Sequence, residues 1–117
     1  MKFLLFIIAI ILKLIFGIIG YVFGTVVSLY KKKWNDWHSD LSESLDQYGN
    51  TLCKYLFNAL LIKKDGYSFG NIDETISSCI GKNYEKNTLT TLGKFLDCVL
   101  DGLDKNHSVK SIDSTIK

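Results

Sequence analysis

Arginine and proline are both missing from this chain of 117 residues. Without arginine there is no bidentate fork for phosphate, and the basic stripe that nucleic acid requires is not present either. Nucleic acid is therefore excluded as the expected partner. Without proline, and without any alternating apolar and polar run, nothing breaks the helical periodicity, so the chain reads as all-α. Cysteine is sparse: Cys53, Cys79 and Cys98 are odd in number, widely spaced and contain no C-x-x-C pair, which points to free thiols in a reducing compartment. His38 and His107 add no metal-ligand spacing, and no phosphate-cradling glycine loop or dinucleotide fingerprint occurs. Neither a metal nor a cofactor is expected.

Acid is also missing from one end. Residues 1–33 carry five lysines and no carboxylate, leaving nine lysines against twelve carboxylates in the rest. What fills that end is hydrocarbon. From Phe3 to Tyr30 the 28 residues include a single charge, Lys13, and as a helix they would extend roughly 42 Å against the ~30 Å of a bilayer core. The run is too long for the apolar region of a cleaved leader. Lys13 at the bilayer centre would cost about 2.5–3.5 kcal/mol, less if it snorkels, and its reading as functional or as snorkelling stays open. Gly20, Gly24 and Ser28 fall at i, i+4 and i+8 with Gly17 beside them. Such a stripe suits close packing of a second helix and self-association, although glycine is also simply common in membrane helices. Lys31, Lys32 and Lys33 follow at once, so the positive-inside bias orients residues 34–117 to the cytoplasm of a single-pass inner-membrane protein, with Trp34 and Trp37 as interfacial anchors.

The expected organisation is a membrane anchor with basic flank over 1–33, a small three-helix domain over 34–107 and a loosely ordered tail over 108–117. Trp34, Trp37, Leu41, Leu45, Tyr48, Leu52, Leu56 and Ala59 recur at spacings of 3 or 4, which predicts a long amphipathic helix with its bend at Gly49-Asn50. The run KKDGYSFG predicts a loop. A short helix is predicted over about 72–80 and a last one over about 88–103, with Leu89, Leu92, Phe95, Leu96, Val99, Leu100 and Leu103 on one side.

The stretch FGNIDETISS (69–78) concentrates polar groups. One reading is a helix start in which Asn71 caps and Glu74 closes a capping box. Another joins Asp73 or Glu74 to His107 and to Ser77 or Ser78 as orienter, base and nucleophile, though no nucleophile elbow accompanies them. Asp97, Asp101 and Asp104 align on one helix face with Lys94 and Lys105 as neighbours, which reads as a solvated salt-bridged face.

FNALL (57–61), DETISS (73–78), GKN (81–83), VLDGLDKNH (99–107) and KSID (110–113) together resemble a family of small proteins from tailed phages and prophages. In that family an Asn-Ala-Leu turn precedes a glycine-rich loop, an Asp-Glu-Thr-x-Ser-Ser core and a closing Asp-x-x-His element. Asp73, Glu74, Thr75, Ser77, Ser78, Asp104 and His107 match it. Cys79 stands where the family commonly has arginine, and Ile62, Lys63 and Lys64 replace its glycines. The resemblance covers about half of the chain and implies a compact helical module with no established reaction. The matched residues are expected to form a polar network or a partner-binding site. For the whole chain the leading expectation is interaction with lipid and a protein partner at the membrane, in host takeover, superinfection exclusion or lysis; the alternatives are a holin-like or pore-forming oligomer built on Gly20, Gly24 and Ser28, and a small hydrolase using His107 with Asp73 or Glu74.

Overall fold

The computed structural model describes residues 1–116; Lys117, the last residue of the expected tail, lies outside the described residues. The described residues form six helices and no strand: α1 (Lys2–Tyr30), α2 (Trp34–Leu52), α3 (Lys54–Leu60), α4 (Ile76–Lys86), α5 (Thr91–Leu103) and α6 (His107–Lys110). The chain divides into two compact units, Met1–Leu41 and Ser42–Lys117. The division falls inside α2, eight residues beyond the expected boundary after Lys33.

In the first unit, α1 is 29 residues long and apolar on every side. It is long and apolar enough to cross a membrane, with a mean hydropathy of 2.9 in its best window and none of that window buried against protein. The chain turns at Lys32, which takes a left-handed conformation (φ 57°), and α2 begins two residues later. Trp37 packs back on α1: its indole lies over Gly24, where an added Cβ would meet Cζ2 at 2.5 Å. His38 reaches the Tyr21 hydroxyl (3.0 Å) and stacks on Trp34, ring centroids 4.1 Å apart. Ser28 is buried and donates to the Thr25 carbonyl (2.9 Å). Of the small-residue stripe, then, the Gly24 position is taken by this chain's own tryptophan, while nothing approaches Gly20.

In the second unit Leu61, Ile62, Phe69, Cys79, Ile80 and Leu89 make the core, with Phe57, Tyr67, Ile76, Leu96 and Leu100 packed around it. One isolated antiparallel bridge, Ile62 to Leu89, ties the segment after α3 to the segment before α5. The expected three helices are five, because the long helix breaks at Cys53 and a short α6 follows α5. Gly49 stays helical at the expected bend, its missing side chain making room for Ile76, whose Cδ1 would lie 3.0 Å from an added Cβ.

The apolar stripe of α2 faces the other way from expectation. Leu45, Tyr48 and Leu52, with Leu56 on α3, are exposed, whereas Asn50 is fully buried and Asp46 half-buried. The polar side turns inward because the loop before α4 carries backbone groups that must be satisfied once buried. The segment 108–116, expected to be loose, is packed: Ser108 is buried, and its hydroxyl donates to Asp97. Gly81 permits this, since a Cβ there would collide with the Ser108 carbonyl and lie 2.7 Å from Ile112 Cγ1. Gly81→Ala is therefore expected to cost about 1–3 kcal/mol through overpacking. Hydrogen exchange should show the loss as weakened protection in α6 ahead of α4.

Candidate functional site

Helix α4 starts at Ile76 rather than Ile72, and Thr75, not Asn71, is its cap: Thr75 Oγ1 accepts from Ser78 N at 3.0 Å. Asn71 instead closes a tight turn, its Oδ1 accepting from Asp73 N (2.9 Å). The loop between Lys63 and Thr75 is held by three asparagines, one on each of three helices. On α3, Asn58 donates to the Phe69 carbonyl (3.1 Å) and accepts from Phe69 N–H (2.7 Å). From α4, Asn83 does the same for Tyr67, both at 2.8 Å, and also donates to Cys79 O and accepts from Thr88 Oγ1. Asn50, on α2, accepts from Gly70 N–H (3.1 Å) and donates to the carbonyls of Asn71 and Glu74. A carboxamide has the donor and acceptor of a peptide group, so each stands in for a neighbouring strand.

This clamp carries Glu74 into the interior, where it is 1% exposed. Its Oε1 accepts from Tyr67 Oη (2.7 Å), and its Oε2 from Ser78 Oγ (2.6 Å) and Lys82 Nζ (2.5 Å). The Lys82 ammonium sits 4.4 Å from the Tyr67 ring centroid and also donates to the carbonyl of Ile116 (2.5 Å). Ser78 Oγ accepts from the Asp113 N–H (2.9 Å). The last residues thus close over a carboxylate and ammonium pair that one turn of α4 and the loop have assembled. Burial, then the hydrogen bond to Glu74, raise the Tyr67 phenol above its ordinary value. Burial pulls the Lys82 ammonium down, but its hydrogen bonds to Glu74 and Tyr67 outweigh this and hold it above its ordinary value. Burial foremost, with the charge of Glu74, pushes the Cys79 thiol up to about 12, which leaves it unreactive at neutral pH.

A second polar chain lies nearer the surface. Ser77 Oγ is 3.2 Å from His107 Nε2, and His107 Nδ1 is 3.2 Å from Asp104 Oδ2. Asp104 also accepts from Lys110 Nζ (2.9 Å), and these two hydrogen bonds, the lysine's first, hold its carboxyl below the usual range. Of the two serines offered by the sequence, Ser77 is the one beside His107, and the carboxylate beside the imidazole is Asp104; His107 makes no hydrogen bond to Asp73 or Glu74. Asp73 is exposed and contributes backbone only, its carbonyl accepting from Gln47 (3.0 Å).

Within this hydroxyl, imidazole and carboxylate chain the hydroxyl is buried and shared with a second carboxylate. Ser77 is 5% exposed, and its single hydroxyl proton also points to Asp46 Oδ2 (3.1 Å), whose other oxygen accepts from Ile76 N–H (2.7 Å). The arrangement fastens α6 and the end of α5 to α4 and α2. In the buried cluster, likewise, both Glu74 oxygens and the Lys82 ammonium already have partners. Asp46, Asn50, Asn58, Tyr67, Lys82 and Asn83 were not among the site residues expected from the sequence. For the three asparagines the one signal was their recurrence inside helical segments, where asparagine is otherwise a poor choice. Among the described residues no cluster of three or more His, Cys, Asp or Glu is placed to hold a metal. No protein-family model matches the chain, and neither the curated proteins nor the solved structures contain a match to it.

Proposed function

We propose that this is a small single-pass inner-membrane protein of phage or prophage origin, whose second unit binds a cytoplasmic partner and performs no chemistry of its own. The observation that carries the reading is α1, apolar on all sides, with none of its best window covered by protein and three lysines directly after it. A helix of that composition is stable where lipid, not water, surrounds it. The saturated polar clusters support interaction over catalysis. Host takeover, superinfection exclusion and lysis are the processes in which such an interaction would serve. A pore built on Gly20, Gly24 and Ser28 is the weaker reading, because a second helix at Gly24 would first have to displace Trp37.

The three thiols make the test. Cys98 is exposed, Cys53 half-buried and Cys79 buried. With a membrane-impermeant maleimide, protein in the membrane fraction of intact cells is expected to stay unlabelled. After permeabilisation Cys98 should react first, Cys53 more slowly and Cys79 only on unfolding. Reaction of Cys98 in intact cells would reverse the orientation, and recovery of the protein in the soluble fraction would overturn the anchor.

A further inference from the structure

The 29 residues of α1 extend roughly 44 Å, about 14 Å more than the hydrocarbon core of a bilayer is thick. Composition shows at which end the excess lies. From Phe3 to Gly20 the helix has Lys13 as its one polar side chain, whereas Tyr21, Thr25, Ser28 and Tyr30 place every hydroxyl of α1 in its last part. The start of α2 marks the same end, because it returns along α1: Trp37 lies over Gly24 and His38 meets the Tyr21 hydroxyl, about 9 Å and about 14 Å back from Tyr30. Asp36 and Asp40 are on these same turns of α2, exposed and in no ion pair among the described residues. If hydrocarbon reached Tyr30, both carboxylates would be drawn into it, at up to about 2.5–3.5 kcal/mol apiece. Thr25 Oγ1, next to Gly24, and Trp37 Nε1 are buried polar atoms with no hydrogen-bond partner among the described residues. Such groups are costly in hydrocarbon, where no partner can come to them, and less so where water and lipid esters are at hand.

We propose that the hydrocarbon of the bilayer covers α1 only from Phe3 to Gly20, and that Tyr21–Tyr30 with the start of α2 stands in the headgroup layer and the water beyond it. The inference rests on the reading that α1 crosses a membrane, and adds where the membrane ends. Residues 3–20 span about 27 Å as a helix, which fits a core of about 30 Å with little tilt. Lys13 then lies near the midplane, one charge in lipid in place of two carboxylates. Gly24 and Ser28 leave the hydrocarbon, so within lipid a close helix contact through small residues is limited to Gly17 and Gly20.

Trp34 and Trp37 are the two tryptophans of the chain, so their fluorescence reports depth without a label. At the level of Gly24, Trp37 should lie about 19 Å from the bilayer centre, against about 11 Å or less if hydrocarbon ran on to Tyr30. The test uses the full-length protein in phosphatidylcholine vesicles whose lipids are brominated either near the ester or near the chain end. Trp34→Phe leaves Trp37 as sole reporter, and Leu12→Trp combined with Trp34→Phe and Trp37→Phe reports the middle of α1. Chain-end bromines should quench the position-12 reporter strongly and Trp37 hardly at all, with Trp37 reached only by bromines near the ester. The parent protein should behave as Trp34→Phe does. Chain-end quenching of both reporters would overturn the boundary and leave the span standing; chain-end quenching of neither would overturn the boundary and the span together.

Discussion

Lys82→Ala is expected to cost the folded second unit about 3–5 kcal/mol, the range for removing one partner of a buried ion pair. Glu74 would keep its hydroxyl partners Tyr67 and Ser78 but lose the one cation that pairs with it among the described residues, while remaining almost wholly out of water. The change also removes the donor to Ile116 O, so the chain end should loosen with it. Native-state hydrogen exchange of α4 amides measures the loss. Replacing both partners together, Glu74→Leu with Lys82→Met, is expected to restore much of it, because two apolar side chains leave no charge stranded. The pair also sets an alkaline limit. Tyr67 and Lys82 both have folded-state values raised above their ordinary ones, so above about pH 10 the native state retains protons that the unfolded chain has released. Stability from these groups is complete below that pH and declines as pH rises through the folded-state values. Unfolding followed between pH 8 and 11 should show the decline, and Tyr67→Phe should reduce it.

Asn83→Ala should have an effect of similar size, about 3–4 kcal/mol, because it strands several buried groups at once. The Tyr67 N–H and carbonyl, the Cys79 carbonyl and the Thr88 hydroxyl all lose a partner. Asn83→Asp separates geometry from bonding. It preserves shape and the two acceptor contacts but turns an oxygen towards the carbonyls of Tyr67 and Cys79, so it should be at least as damaging as alanine. The amide of Tyr67 is the reporter: it should exchange early in Asn83→Ala while amides of α5 remain protected.

The long apolar helix was legible because its signal is composition alone and needs no knowledge of what it packs against. So was α5, whose observed start at Thr91 lies within three residues of the expected one. The outward turn of α2 was not legible. Period 3.6 locates two faces of a helix and is silent on which faces the fold; here that choice was made by the loop before α4, whose peptide groups needed Asn50. The start of α4 was misplaced for a related reason. Asn71 and Glu74 have the spacing of a capping box, but Glu74 found a stronger partner in Lys82, eight residues on, and Thr75 took the cap. The residues read from the chain as one polar set separate into two, Ser78 with Glu74 and Lys82, and Ser77 with His107 and Asp104. That separation could not be read, because it depends on Gly81 letting α6 settle against α4.

The asparagine clamp has a consequence for how this protein can change over generations. Asn50, Asn58 and Asn83 grip backbone atoms of the loop, not its side chains. Exposed loop positions such as Ile72 and Asp73 are thus free to drift in identity at little cost. The number of residues between Tyr67 and Glu74 is not free, since one inserted or deleted residue would slide every peptide group past its carboxamide. Descendants of this chain should therefore differ widely in the letters of the loop and hardly at all in its length.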